Sequence, residues 1–250
     1  MMNENRTKTG CLVCGAELIY LPEKAEFECV FCHQTKRADA HCLNGHFVCD
    51  SCHTEDPCTW IQQQCLTSQA TDAIRLAAEL MRHPGVAMHG PEHHFLVPAV
   101  LLTAYYNLRQ QSDMKTRKVQ EARGRAQSIV GGSCGFHGAC GAAIGVGIFV
   151  SLVTEATPTS SEEWRLCNTA TAEALSRIAA RGGPRCCKRN TFLALESAAE
   201  FSAAHLGQAL PLERVVCSFS ALNRECQGAG CEYSKVARKR DAGRTGESCR

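Results

Sequence analysis

The chain has 250 residues, a formal net charge of +2 and 21% charged side chains, which argues against a strongly basic nucleic-acid-coating protein. Aromatic residues make up only 6%, so a base-stacking platform is not expected. The 44% of hydrophobic residues allow a proper core, in one large domain or in a medium domain with a small module.

The outlier is cysteine, with 18 residues. Secreted disulfide scaffolds this rich in cysteine are usually much shorter. The opening MMNENRTKTG leads into no apolar stretch, so no secretory signal is expected. The longest apolar runs, LVPAVLLTAYY and AAIGVGIFVSLV, are too short to span a bilayer, so no membrane association is expected. These features point to a reducing cytoplasm, where many cysteines mean metal ligands or reactive thiols.

The cysteines open in pairs. Cys11-Leu-Val-Cys14 and Cys29-Val-Phe-Cys32 are knuckles separated by fourteen residues, and the intervening GAELIYLPEKAEFE alternates like a short β-hairpin. Two such knuckles can set four thiolates at the corners of a tetrahedron, as zinc requires. A second set follows: Cys42, His46, Cys49 and Cys52, in the spacing Cys-x3-His-x2-Cys-x2-Cys. His41, His53 and Cys58 are spare candidates at its edges, although His33, His41 and His53 read best as solvated loop histidines. The spacing leaves open whether the two sites are sequential or interleaved. Residues 9–58 are thus expected to form a zinc-ribbon-like β module, with zinc replacing a core too small to build. Such ribbons can dock RNA, DNA or protein, but the local cations Lys24, Lys36 and Arg37 are sparse, so nucleic acid is disfavoured without being excluded.

Beyond Trp60 the pattern turns helical. SQATDAIRLAAELMRHPG predicts a helix with Ser68 or Thr71 as N-cap and Pro84-Gly85 as stop. FLVPAVLLTAYYNLRQQ predicts a largely buried helix with Pro98 near its first turn. DMKTRKVQEARGRAQSIV is a third, charged on one face. ACGAAIGVGIFVSLVTEA is apolar nearly all round and so central. SSEEWRLCNTATAEALSRIAARGG opens on a Ser-x-x-Glu cap and closes on Gly-Gly, and RNTFLALESAAEFSAAHLG is a sixth helix. The fold class is therefore mainly α: a helical cysteine-rich domain over 66–235, preceded by the small β module and followed by a basic flexible tail over 236–250 that carries Cys249.

The later cysteines sit at element ends. Cys134 and Cys140 flank the start of the central helix, Cys186 and Cys187 follow a Gly-Gly-Pro-Arg break, and Cys217, Cys226 and Cys231 lie in VVCSFSALNRECQGAGCEYS. Cys167, inside a helix, reads as packing. A thiolate at a helix N-terminus is stabilised by the partial positive charge there, which favours metal ligation or sulfur chemistry. The glycines of GGSCGFHGACGAAIGVG could admit an iron–sulfur cluster close to the backbone, although the spacings match no ferredoxin run. They do not fit a dinucleotide fingerprint, because the segment before Gly131 predicts helix, and the phosphate-loop lysine is missing. Helix packing is the competing role, above all for Gly141, Gly145 and Gly147. His89, Glu92, His93 and His94 form a further polar cluster suited to metal binding or proton relay, or simply to a polar start of a buried helix.

The order of these motifs, with HGPEHHFLVPAVLL, GGSCGFHGACGAAIG, RCC and CSFSALNRECQGAGC, resembles DUF5714, an uncharacterised prokaryotic family found mainly in anaerobes. The part from Cys134 to Cys187 is also similar to a redox-active cysteine family with a Gly-Cys-Ala-x-x-Gly motif and a later Cys-Cys. Here the order is Ala139-Cys140-Gly141-Ala142-x-x-Gly145 and Cys186-Cys187. These resemblances imply a redox or metal role without a known reaction.

The leading expectation is a cytoplasmic metal and redox protein. Structural zinc would sit in the N-terminal module. Cys134, Cys140, Cys186, Cys187, Cys217, Cys226 and Cys231 would gather around an iron–sulfur cluster or form a reactive thiol set that serves a redox or sulfur-transfer partner. The alternative is a zinc-ribbon adaptor that binds RNA or a protein through the ribbon and a basic face at Lys115, Arg117, Lys118, Arg123 and Arg125, with the later cysteines structural. A third possibility is an enzyme using His89, His93 or His94 as acid–base, for which no nucleophile–base pairing is legible.

Overall fold

The computed structural model describes residues 10–14 and 16–235; the expected basic tail and Cys249 lie outside the described residues. The chain is mainly α-helical, with one two-stranded antiparallel sheet. It forms two compact units. One runs up to Pro57 and takes in Arg82–Gly85; the other combines Cys58–Met81 with the chain from Val86 onward. Among the described residues no helix is long and apolar enough to cross a membrane.

The first unit is built on β1 (Leu18–Glu28) and β2 (Thr35–Cys42), paired from Leu18↔Cys42 to Glu28↔Thr35. The hairpin expected between the knuckles is instead a single strand. Leu21–Lys24 form only an irregularity, where the register shifts between Tyr20 and Ala25. The reversal occurs at the second knuckle, where the His33 N–H donates to the Cys29 carbonyl at 2.9 Å and His33 adopts φ 56°. The chain then returns past Phe47, which packs on Phe27 with ring centroids 5.6 Å apart, and enters α1 (Asp50–Thr54) with Cys49 as N-cap. The buried side chains here are little more than Cys11, Cys29, Cys42, Phe47, Cys49, Cys52 and His83, of which Cys29, Phe47, Cys49 and Cys52 pack as one cluster. The segment Arg82–Gly85 joins this unit through His83, whose ring meets Phe31 edge-on at 5.0 Å.

The second unit contains α2 (Pro57–Thr67), α3 (Ala73–Leu80), α4 (Glu92–Leu108), α5 (Ser112–Gln127), the single turn α6 (Ser133–Phe136), α7 (Gly141–Thr154), α8 (Glu162–Ala180) and α9 (Cys187–His205). Its core is continuous and built on α4, α7 and α9, whose side chains Phe95, Leu101, Phe149, Leu152, Phe192 and Leu195 are essentially inaccessible. Glycines bring α7 close to its neighbours. A Cβ at Gly145 would lie 2.9 Å from Pro98 Cδ of α4, and one at Gly147 would strike Thr171 of α8. The packing role expected of these glycines is therefore real.

Two expected caps are replaced. Asp72, rather than Ser68 or Thr71, caps α3, with Oδ1 accepting from the Ile74 and Arg75 N–H groups at 2.9 and 3.0 Å. No side chain caps α8 at Ser161, and Ser160 instead accepts from the Thr157 N–H at 2.9 Å, so the Ser-x-x-Glu box does not form. The expected basic face is largely consumed internally. Lys115 is buried and donates to the Ser68 carbonyl and Asn107 Oδ1, Lys118 is buried against Glu121 and Glu155, and Arg123 donates to Gln62 and Thr59.

Candidate metal centres

In the first unit the two ligand sets are interleaved. Cys11, Cys14, Cys42 and His46 form one group, and Cys29, Cys32, Cys49 and Cys52 the other; within each group the ligand atoms all lie within 4.8 Å of one another. The strand explains why the two knuckles cannot share an ion. β1 places 11 residues of extended chain between them, and each residue of a strand advances about 3.3 Å. Each knuckle instead meets the partner its own end of the hairpin delivers. Cys42 closes β2 opposite Leu18, near the first knuckle, while Cys49 and Cys52 open α1 beside the second.

The spacing suits a single tetrahedral ion, for which Zn–S bonds of 2.3 Å put sulfurs about 3.8 Å apart. Cys14 Sγ lies 3.5 Å from Cys42 Sγ, Cys32 Sγ 3.7 Å from Cys49 Sγ, and Cys11 Sγ 3.8 Å from His46 Nδ1. Backbone donors point at the sulfurs: Val13 N–H at Cys11 (3.4 Å), Asn44 N–H at Cys42 (3.3 Å) and Cys49 N–H at Cys29 (3.4 Å). Such outer bonds favour thiolate over thiol. The Ala16 N–H, helped by the Asn44 amide, holds the Cys14 thiol down at about 6. Burial raises Cys49, but donors from Ser51 and the Cys52 N–H outweigh it and bring it also to about 6. Of the spare candidates, His41 stacks on Phe27 at 4.8 Å, His33 pairs with Glu28 at the surface, and Cys58 belongs to the second unit.

Seven cysteines of the second unit are divided between two cavities. The first is lined by Cys186, Cys217, Cys226 and Cys231, with Arg189, Asn223 and Tyr233 among the other walls. The Cys217 thiol feels the charges of Cys186, Cys231 and Cys226, so the four form one electrostatic group. Each sulfur accepts a backbone N–H: Arg189 N–H to Cys186 (3.5 Å), Phe219 N–H to Cys217 (3.4 Å), Gly228 N–H to Cys226 (3.4 Å), and the Tyr233 N–H to Cys231. Arg189 is buried and fastens the walls by donating to Gln227 Oε1 at 2.6 Å and to the Gly182 carbonyl at 2.8 Å.

The second cavity, of about 200 Å³, is lined by Cys134, Cys140, Cys187, His89, His94 and Arg185, among others. Asn190 Nδ2 donates to Cys140 Sγ at 3.5 Å. Burial pushes the Cys187 thiol up to about 11 against the Gly90 N–H and Arg185, which lower it, and Cys140 and Cys134 raise it further. Burial likewise raises Cys217 and Cys231. As free thiols these are not the low-pKa kind that serve as nucleophiles.

The histidine cluster is split. His93 is buried, with Nε2 donating to the Ala87 carbonyl at 3.1 Å and Nδ1 left to accept from Thr191 Oγ1 at 3.1 Å. It is a satisfied core histidine. Glu92 is buried and folds over Gly90, where a Cβ would strike its carboxylate. His89, His93 and His94 all line the second cavity, His93 being the buried one. Cys167 stands on α8, half-buried, with Sγ 3.2 Å from the Trp164 carbonyl.

Sequence reasoning missed Asn190, Asn223, Arg185 and Arg189. Asn223 joins the two cavities: its Nδ2 donates to Cys186 Sγ at 3.6 Å and its Oδ1 accepts from His89 Nε2 at 3.3 Å. The signal in the sequence for Arg189 and Asn190 was the polar run Lys188-Arg189-Asn190 in the first turn of α9, ahead of the apolar Phe192–Leu195.

Residues 61–234 match a family model described as a family of unknown function, DUF5714. That span holds both cavities and leaves out the interleaved cysteine sets. No curated protein and no solved structure matches the chain.

Proposed function

The chain belongs to the DUF5714 family of unknown function, and on that premise we propose that it is a metal-binding redox protein. The N-terminal unit holds two structural zinc ions, one on Cys11, Cys14, Cys42 and His46 and one on Cys29, Cys32, Cys49 and Cys52. The helical unit holds an iron–sulfur cluster on Cys186, Cys217, Cys226 and Cys231. A redox or sulfur-transfer partner in the cytoplasm would exchange electrons or sulfur with it. The likeness of residues 134–187 to the redox-active cysteine family enters as part of this proposal.

One contrast carries the reading. Two ligand sets contract to the spacing of a single ion, while four cysteines line one cavity without contracting, since no other group of three ligand atoms among the described residues lies within 4.8 Å. A cluster is larger than an ion and holds its thiolates farther apart. The ring of N–H donors suits it, because hydrogen bonds to sulfur stabilise and tune cluster thiolates.

Anaerobic purification of the full chain, with zinc, iron and acid-labile sulfide assayed per chain, tests this. The expected result is two zincs, iron with comparable sulfide, and a visible band that bleaches on reduction and is lost in Cys217→Ser/Cys226→Ser. Zinc alone, with no sulfide, would overturn the cluster and leave the adaptor reading.

A further inference from the structure

The seven later cysteines do not form one set. Cys186 belongs to the first cavity, but its neighbour Cys187 turns into the second, where it meets Cys134 and Cys140. α9 begins at this pair, so consecutive residues present their thiols to different cavities.

The second cavity carries several marks of a ligand centre. Cys140 is the N-cap of α7, and its sulfur accepts from Asn190 Nδ2 at 3.5 Å. The Gly90 N–H is aimed at Cys187, and Arg185 supplies a cation nearby. His94 Nδ1 lies 3.3 Å from the Ile129 carbonyl, which only accepts, so Nδ1 bears the proton and Nε2 presents its lone pair. That is the arrangement by which proteins orient a ligating imidazole. The ring lies directly over Gly141, where any Cβ would strike it. His89 Nε2 likewise donates to Asn223 Oδ1, and its buried Nδ1 has no partner.

The size differs from that of a closed site. The interleaved sets of the first unit hold their ligand atoms within 4.8 Å of one another, whereas this cavity of about 200 Å³ has space for several waters, each of which takes about 30 Å³ in the liquid. Centres that act on a substrate keep an open position of this kind, and structural ones do not.

We propose that the second cavity is a separate, open iron–sulfur centre held by Cys134, Cys140 and Cys187, with His94 Nε2 and the adjoining space at its unligated iron taking a small anionic substrate. Three thiolates leave one iron of a cluster without a protein sulfur. Arg185 at the wall favours a negatively charged ligand over a neutral one. Asn223, bonded to both Cys186 and His89, forms a polar link between this centre and the four-cysteine cavity. The proposal borrows the cluster chemistry of the preceding reading but stands on different residues.

The test compares the full-length chain with Cys134→Ser/Cys187→Ser and with Cys217→Ser/Cys226→Ser, all purified without oxygen and checked for folding by thermal melting. Iron and sulfide should fall by about half in each double variant and vanish when the two are combined. Iron unchanged in Cys134→Ser/Cys187→Ser overturns the second centre, even if Cys217→Ser/Cys226→Ser loses its iron as the preceding reading requires. Conversely, iron retained by Cys217→Ser/Cys226→Ser and lost with Cys134 and Cys187 would support this centre while the other reading failed. Cyanide added to Cys217→Ser/Cys226→Ser should shift its visible spectrum, and more strongly when His94→Ala is added, because the imidazole no longer competes for the open iron. A spectrum indifferent to cyanide overturns the open position.

Discussion

The hairpin unit and the helical unit solve the same problem by opposite means. The hairpin unit buries little besides cysteines: Cys11, Cys29, Cys42, Cys49 and Cys52, with Phe47 and His83, so there is little apolar core to hold it together. The helical unit has a continuous apolar core, so its cysteines are not needed for cohesion and can line cavities. Where ligands replace a core they contract to an ion's spacing; where a core exists they stand apart, and Cys134, Cys140 and Cys187 do so around open volume. Cysteine count alone therefore does not report a cysteine's role. The packing behind it does.

The largest expected effect breaks this contrast directly. Stripping zinc with a chelator should unfold the hairpin unit and leave the helical far-UV signal nearly intact, since structural zinc supplies about 10–16 kcal/mol to such folds. Limited proteolysis should then cut between residues 10 and 57 and spare the helices. Loss of helix on zinc removal would mean that the two units are not held by different means. The converse perturbation is Phe149→Ala. It deletes a fully buried ring on α7 and should destabilise the helical unit by about 3–5 kcal/mol in urea melts, while the zinc content stays unchanged.

A pH test sharpens the comparison. Burial pushes His93 down to about 3 in the folded state, against about 6.5 when unfolded. The unfolded chain therefore binds the extra proton first as pH falls. The stability is fully present above about 6.5 and declines toward 3, with about 2 kcal/mol lost at pH 5. Urea midpoints of the helical unit at pH 7 and pH 5 measure this, and His93→Gln should flatten the slope. The smallest expected effect is Asp72→Ala, which removes the cap of α3 and should cost about 1 kcal/mol.

Much of this was legible in the sequence, and for a physical reason. Helical periodicity in strongly apolar segments such as α4 and α7 identifies them before any contact is known, and the two knuckles with Cys42, His46, Cys49 and Cys52 announce ligands by spacing. Pairing was not legible. It depends on where the chain reverses, and the reversal at Cys29–Cys32 rather than within the stretch between the knuckles is a tertiary outcome. Nor was the split of Cys186 from Cys187, which follows from the first turn of α9 pointing successive residues in different directions. His93 and His94 are neighbours in sequence, yet one is locked between Thr191 and Ala87 while the other bonds the Ile129 carbonyl through Nδ1.

X-ray absorption at the zinc and iron edges, on the full chain purified without oxygen, tests the central claim most directly. The account requires zinc with first shells of sulfur and some nitrogen and no metal neighbour, and iron with sulfur ligands and a short iron–iron distance. Zinc in every site, with no iron–iron scattering, would show that the spread cysteines hold single ions after all, and the contrast between the two units would fall.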